Sequence, residues 1–469
     1  MTTLSNLIGS INDIIWSYLL IIGLVASGIW YSFRTGFVQL SRIKEMMRLL
    51  VEGASGNTGK DHITSFQAFC VSTASRVGVG NIAGIAIAVV LGGPGAIFWM
   101  WVIAILGSAT GFMESTLAQI YKVPKGDGGF LGGPAYYIKN ALGSSAMARL
   151  FAVLLAVTFG LIFNSLQANT IALSMKASFA LDPIVTACVV TALSAACVFG
   201  GLSRIARLVQ WFVPVMAIGY ILIAIFVMVT NLATLPSVFV MIFSSAFTAD
   251  AALGGGLGAA LMNGVKRGLF SNEAGMGSVP NAAATADVTH PVKQGLVQAL
   301  AVFVDTLVVC SASAMIVLLC PSWASSDLTG IELVQHCLVT QLGHWTLVAL
   351  PVMIFMFAFS SIVGNYYYGE INMDFISDNR HALTVFRILV VVMVFLGSLS
   401  EMTLLWNLAD LFMGLLALTN LIAVALLAKH AYRALDDYFL QKKNGIKEPS
   451  FKAGILDSRK AYTTGINVA

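Results

Sequence analysis

The sequence predicts an all-α integral membrane protein of about eleven transmembrane helices, two of them interrupted near their middles. Three observations predict this. The 469 residues are 58% hydrophobic and only 10% charged, whereas soluble domains carry about a quarter charged residues, so most of the surface must face lipid. Apolar segments recur from residue 14 to residue 428 without an extended polar linker, which makes one membrane unit. Two of those segments are dense in glycine and polar residues, which hydrocarbon tolerates only where the backbone is buried or lines a cavity.

Apolar runs of roughly 20 residues, enough to cross a bilayer, fall near 14–33, 64–91, 95–121, 150–178, 183–199, 210–230, 259–288, 294–320, 346–375, 383–399 and 402–428. The first has neither a basic n-region nor an A-x-A cleavage site before it and reads as a retained helix. Lys266, Arg267 and Glu273 interrupt the seventh; residues 237–257 are also apolar and read either as a span or as a helix against the outer face. Lysine and arginine concentrate in cytoplasmic loops. Arg34 to Lys60, Lys122 to Arg149, Arg204 and Arg207, Lys293, Arg380 and the basic tail 429–469 all fall on one side if there are eleven spans, while 231–258 and 321–345 carry none. The N-terminus is then outside and the tail cytoplasmic.

Other classes recede on composition. The six cysteines are scattered with no C-x-x-C and read as small packing residues. A net charge of +4, confined to loops and tail, builds no nucleic-acid surface. All six histidines lie in loops or at span ends, leaving a haem subunit without axial ligands.

The first interruption is Ser72 to Gly84, containing Arg76, Gly78, Val79, Gly80 and Asn81; the second is Phe270 to Ser278, containing Glu273, Gly275 and Gly277. Glycine pairs alone often serve only close helix packing. Arg76 and Glu273 favour function, because charges inside spans are costly and line functional paths as gating or coupling groups. If both helices unwind, half-helix N-termini can hold a carboxylate and freed carbonyls a cation, as in transporters built on inverted repeats. Spans two to six (64–230) and seven onward (237–428) then form two halves of opposite orientation, with 14–33 appended. Gly254-Gly255-Gly256 is a competing break in the second half. Asn164, Gln167 and Asn169 on span four supply amides, and Ser360 and Ser361 on span nine supply hard oxygens suited to sodium. The run Tyr366 to Tyr368 reads as an interfacial anchor, with a gate the alternative. Glu114, Asp305 and Glu370 are further acids that could carry a proton or pair with a base.

The run GGPGAIFWMW at 92–101, continuing to Gly107, resembles the signature of the alanine or glycine:cation symporter family. GVGNIAG at 78–84, GGPAYYI at 132–138, RGLFSNEAGMGS at 267–278 and YYGE at 367–370 extend the resemblance over nearly the whole membrane region. It implies a LeuT-like fold, a 5+5 inverted repeat with two discontinuous helices and an extra N-terminal helix. It also implies Na+ or H+ coupling and substrates such as alanine, glycine or sometimes glutamine. The family's binding positions fall on Gly78, Gly80, Asn81, Gln167, Phe270 and Ser361. Gly78 and Asn81, with Ser360 and Ser361, are the expected cation positions. Val79 and Asn365 stand at pocket positions where the family often has a hydroxyl residue and a tryptophan, and Arg76 where many members have a neutral residue. Phe98, Trp99 and Trp101 read as a packing or interfacial face, and the turn at 131–134 as loop geometry.

The expected function is symport of a small neutral amino acid with Na+ or H+ across the plasma membrane by alternating access, without cofactor, covalent chemistry or obligate protein partner. A channel would need several filter-bearing subunits, and an enzyme a cluster of His, Cys or paired carboxylates; the sequence offers neither pattern.

Overall fold

A computed structural model describes residues 2–55, 63–126, 129–200, 202–247 and 258–456. Apart from a two-residue hairpin pairing β1 (Val123–Pro124) with β2 (Phe130–Leu131), the described secondary structure is helical. In order, the helices are α1 (2–34), α2 (Ile43–Ser55), α3 (Ser65–Arg76), α4 (Gly80–Gly92), α5 (Gly95–Ile120), α6 (134–142), α7 (Ser145–Phe179), α8 (Pro183–Val198) and α9 (Leu202–Thr230). Then follow α10 (Leu235–Ser245), α11 (Ala259–Asn272), α12 (Val279–Thr285), α13 (Pro291–Leu318), α14 (Gly330–Leu342), α15 (Thr346–Ile376), α16 (Arg380–Ser398) and α17 (Met402–Lys443).

Each predicted apolar segment coincides with a helix or an interrupted helix. Among the described residues, seven helices are individually long and apolar enough to cross a membrane, or up to nine if each bent pair counts as one span. The helix α8 is shorter, and the pieces α11 and α12 are too short alone. In the described part of the segment beginning at 237, α10 turns by 104° from α9 and, at 11 residues, covers about half a bilayer. It lies on the aromatic face of α5, with Phe243 against Phe98, Phe239 beside Trp101, and the Trp99 indole donating to the Ala246 carbonyl at 3.1 Å. The Gly254 to Gly256 run lies outside the described residues.

The two interrupted helices run antiparallel. Ile63 and Ala286 form an isolated parallel bridge, joining the start of the first to the end of the second. At the other end a Cβ on Gly92 would touch the Ala259 carbonyl. One expectation needs correcting. Tyr366 and Tyr368 are fully buried and Tyr367 nearly so, making them core residues and not interfacial anchors, because α15 is enclosed by α3, α7 and α9 at this level. Beyond the apolar span at 402–428, the last helix continues as helix to Lys443, and the chain after it folds back so that the Phe451 amide donates to the Thr289 carbonyl at 2.9 Å.

Candidate functional site

The two breaks differ in cause despite their shared Gly-x-Gly spacing. Between α3 and α4 the chain bends by 53°, and neither Gly78 nor Gly80 has positive φ. These glycines are required by close approach: a Cβ on Gly78 would strike the Ser361 hydroxyl and lie 2.9 Å from the Gln167 amide, and one on Gly80 would strike the Phe270 ring. Between α11 and α12 conformation is the cause, since Glu273, Gly275 and Gly277 have φ of 56°, 93° and 81°. Left-handed backbone at Glu273 is unusual for a side-chain-bearing residue. Its carboxylate is held in place by Ser75, whose hydroxyl donates at 2.9 Å, and by Ser278.

The freed groups of the first break are met by named side chains. The Gly78 amide donates to Asn81 Oδ1 at 3.2 Å and the Val79 amide to Gln167 Oε1 at 3.1 Å. Ser361 Oγ donates to the Ala74 carbonyl at 2.8 Å and lies 3.4 Å from the Val77 carbonyl, so three oxygens converge below the break. Ser360 is turned away from them, bonding the Phe357 carbonyl and facing Met216, because adjacent helical residues point about 100° apart. Asn365 Oδ1, one turn further along α15 than Ser361, lies 2.7 Å from the Ser75 hydroxyl and shares its proton with Glu273.

Asn81 also links the two breaks. Its amide nitrogen donates to Asp305 Oδ1 at 2.6 Å and to Ser271 Oγ at 3.0 Å, and Ser271 in turn donates to Asp305 Oδ2. Asp305 stands in a π-helical stretch of α13 (Phe303–Cys310), and Asn81 in another (Gly80–Gly84). Such stretches recur at functional positions because they rotate side chains out of helical register. Across the second break, Glu114 on α5 accepts from the Gly275 and Gly277 amides at 3.1 and 3.2 Å and from Asn420 at 2.6 Å. Arg76, 2% exposed, lies among Glu114, Glu273 and Asp305, and its guanidinium nitrogens have no hydrogen-bond partner among the described residues.

On the Gly92 side the site is covered by rings. Phe270 packs on Phe163 at 4.7 Å and on Trp406 at 5.0 Å, and Arg267 lies 4.4 Å over Trp406. Arg267 donates to both carboxylate oxygens of Asp410 at 2.9 and 2.7 Å. Glu370 does not join the centre; it pairs with Arg387 at 3.1 Å. Sequence reasoning missed Asp410, the Ala74 and Val77 carbonyls and the role of Glu114. A lone acid in the last span was a visible signal for Asp410, whereas carbonyls carry no sequence signal.

A solved structure of MhsT with L-phenylalanine superposes with a TM-score of 0.61 at 13% identity, covering 81% of this chain and 93% of that one. A manganese transporter of Eremococcus coleocola gives 0.51, also at 13%, covering 83% and 85%. These likenesses show the LeuT fold. In sequence, the chain is 50% identical to the probable sodium/glutamine symporter GlnT of Bacillus subtilis over 97% of this chain and 94% of that one. It is 49% identical to the amino-acid carrier protein AlsT of the same organism, covering 98% and 97%. It is 36% identical to the sodium/alanine symporter AgcS of Methanococcus maripaludis, covering 90% and 94%. With residues 1–453 matched by its family model, the chain belongs to the sodium:alanine symporter family.

Proposed function

We propose that this secondary transporter carries a small neutral amino acid, with alanine or glycine the leading candidates, bound between the two breaks and coupled to Na+ at the Ala74, Val77 and Ser361 oxygens. The observation that carries this reading is the convergence of two antiparallel interrupted helices, each with its freed backbone groups answered by a buried side chain. A zwitterion needs donors for its carboxylate and acceptors for its ammonium group, and unwound helices supply both. Gly78, Val79, Gly80, Asn81, Gln167 and Phe270 are its proposed contacts, with Asn365 on the side-chain side. Gly78 and Asn81 are shared with the cation.

Cation coupling fits the charges as well. One guanidinium, Arg76, stands among three carboxylates, and uncompensated charge is expensive in a low-dielectric interior. A bound Na+ or a proton offsets that surplus. No covalent step and no cofactor is required of the chain.

The basic residues support one orientation. Lys122 donates to the Ala286 carbonyl and Lys293 lies beside the tail, so the Ile63/Ala286 end collects positive charge and is taken as cytoplasmic in the plasma membrane. The Phe163, Phe270 and Trp406 rings with Arg267 and Asp410 then close the outer side. The test is radiolabelled uptake into proteoliposomes under imposed sodium or pH gradients, with a panel of small neutral amino acids. Concentrative uptake driven by sodium is expected, and loss of binding in Asn81→Ala and Gln167→Ala with the protein still inserted. Absence of gradient-driven uptake of every amino acid overturns the function; unchanged affinity in both variants overturns the pocket.

A further inference from the structure

Beyond the end of α13 the chain makes a short turn and comes back as α14. The two arms are held in antiparallel register. The Gln341 side chain donates to the Ile316 carbonyl at 2.9 Å, and Ser322 bonds His336 at 2.8 Å. That register sets Cys320 opposite Cys337. Both side chains are buried, and both are thiols in this structure. The two thiols lie within hydrogen-bonding reach of each other.

The arm that bears Cys337 covers the site. The helix α14 packs along α4, the outer half of the first interrupted helix, and a Cβ on Gly330 at its start would approach Met402 and Ile87. Gln335 reaches across to Ser178 at the end of α7, 2.8 Å away. On the orientation proposed above, this lid lies on the outer face, where thiols meet an oxidising environment.

We propose that Cys320 and Cys337 are a disulfide-forming pair that fastens the hinge of this lid. The sulfurs are enclosed once α14 has packed, so the bond closes during folding. The oxidant is an exported thiol–disulfide oxidoreductase. The Cys320 thiolate attacks the oxidant's disulfide, forming a mixed disulfide and expelling one of its sulfurs as thiolate. The Cys337 sulfur, giving up its proton, displaces the second sulfur. The products are the Cys320–Cys337 bond and the oxidant as a dithiol, which has taken up two electrons and both protons. The remaining four cysteines have no comparable partner: Cys70 and Cys310 sit within the bundle, and Cys188 and Cys197 on α8.

The experiment is differential alkylation of the full-length protein. Membranes are dissolved in denaturant with excess N-ethylmaleimide, then reduced and labelled with an isotopically heavy alkylating agent, and peptides are identified by mass spectrometry. The proposal expects the heavy label on Cys320 and Cys337 alone, and N-ethylmaleimide on Cys337 in Cys320→Ser. N-ethylmaleimide on both cysteines of the unmutated protein overturns it, as does heavy label persisting on Cys337 in Cys320→Ser. Because the inference rests on the proposed orientation, Ser325→Cys is labelled in parallel on intact cells with a membrane-impermeant maleimide. Labelling only after permeabilisation identifies a failed orientation as the reason for a missing bond. Gradient-driven uptake, measured separately, tests the transport reading without reference to the bond.

Discussion

At the scale of single residues, adjacent and chemically identical groups have different surroundings. Ser361 faces the Ala74 and Val77 carbonyls while Ser360 faces Met216. Hydrogen bonds and ligand contacts to charge are worth about 1.5–3 kcal/mol. Ser361→Ala is therefore expected to weaken apparent Na+ affinity by about tenfold or more, and Ser360→Ala to leave it within about twofold; sodium titration of uptake measures both. Glu114 is the acceptor for two amides of the second break and for Asn420. Glu114→Ala leaves those buried donors unanswered, at about 1–3 kcal/mol each, and should lower the unfolding temperature in detergent well below that of Glu114→Gln. The charged Arg267–Asp410 pair is nearly inaccessible, with exposures of 4% and 4%. Removing one partner of such a pair typically costs about 3–5 kcal/mol, so Asp410→Ala should destabilise more than any exposed acid-to-alanine change in the same assay.

At the scale of elements, each break has its own tolerance. The first is maintained by proximity, the second by backbone conformation. Gly277→Ala should accordingly impair folding even if its neighbours relax, because φ of 81° disfavours any side chain there and Pro134 and Asn420 fill the space. The linker that follows α12 adds a pH dependence. His290, beside the bilayer, is pushed down to about 4 by burial, against the opposing pull of Asp437. Its ordinary value is near 6.5, so between those values the unfolded chain binds a proton that the native linker refuses. Stability then rises with pH across that window and is lost as pH falls from 6.5 toward 4. A thermal-melt series over that range should flatten in His290→Gln; an identical slope in the variant would remove His290 as the cause.

Much of this element plan was legible in the sequence. Hydropathy located the helices because lipid leaves the backbone no alternative, and Arg76 and Glu273 marked both interruptions. What pattern could not provide was partnership. That Asn81 bonds Asp305 and Ser271, or that Glu114 serves Gly275 and Gly277, depends on which helices become neighbours across more than a hundred residues. The choice of Ser361 over Ser360 depends on the rotation of α15, which a segment apolar on nearly all sides does not reveal. The extension of the last helix was not legible for a different reason: apolarity ceases near 428, but helical backbone does not.

At the scale of the whole molecule, the last helix connects parts of the protein that lie far apart. At 42 residues α17 is about 63 Å long, roughly twice the hydrocarbon thickness. Asp410 in the Arg267 ion pair, Asn420 at the second break and Asp437 beside the docked tail all ride on it. Such a rod acts as a lever: a tilt of about 10° about its middle would carry each end some 5 Å sideways in opposite directions, by the same helix length. Release of Asp410 at one face and displacement of the tail at the other are thus two readings of a single angle.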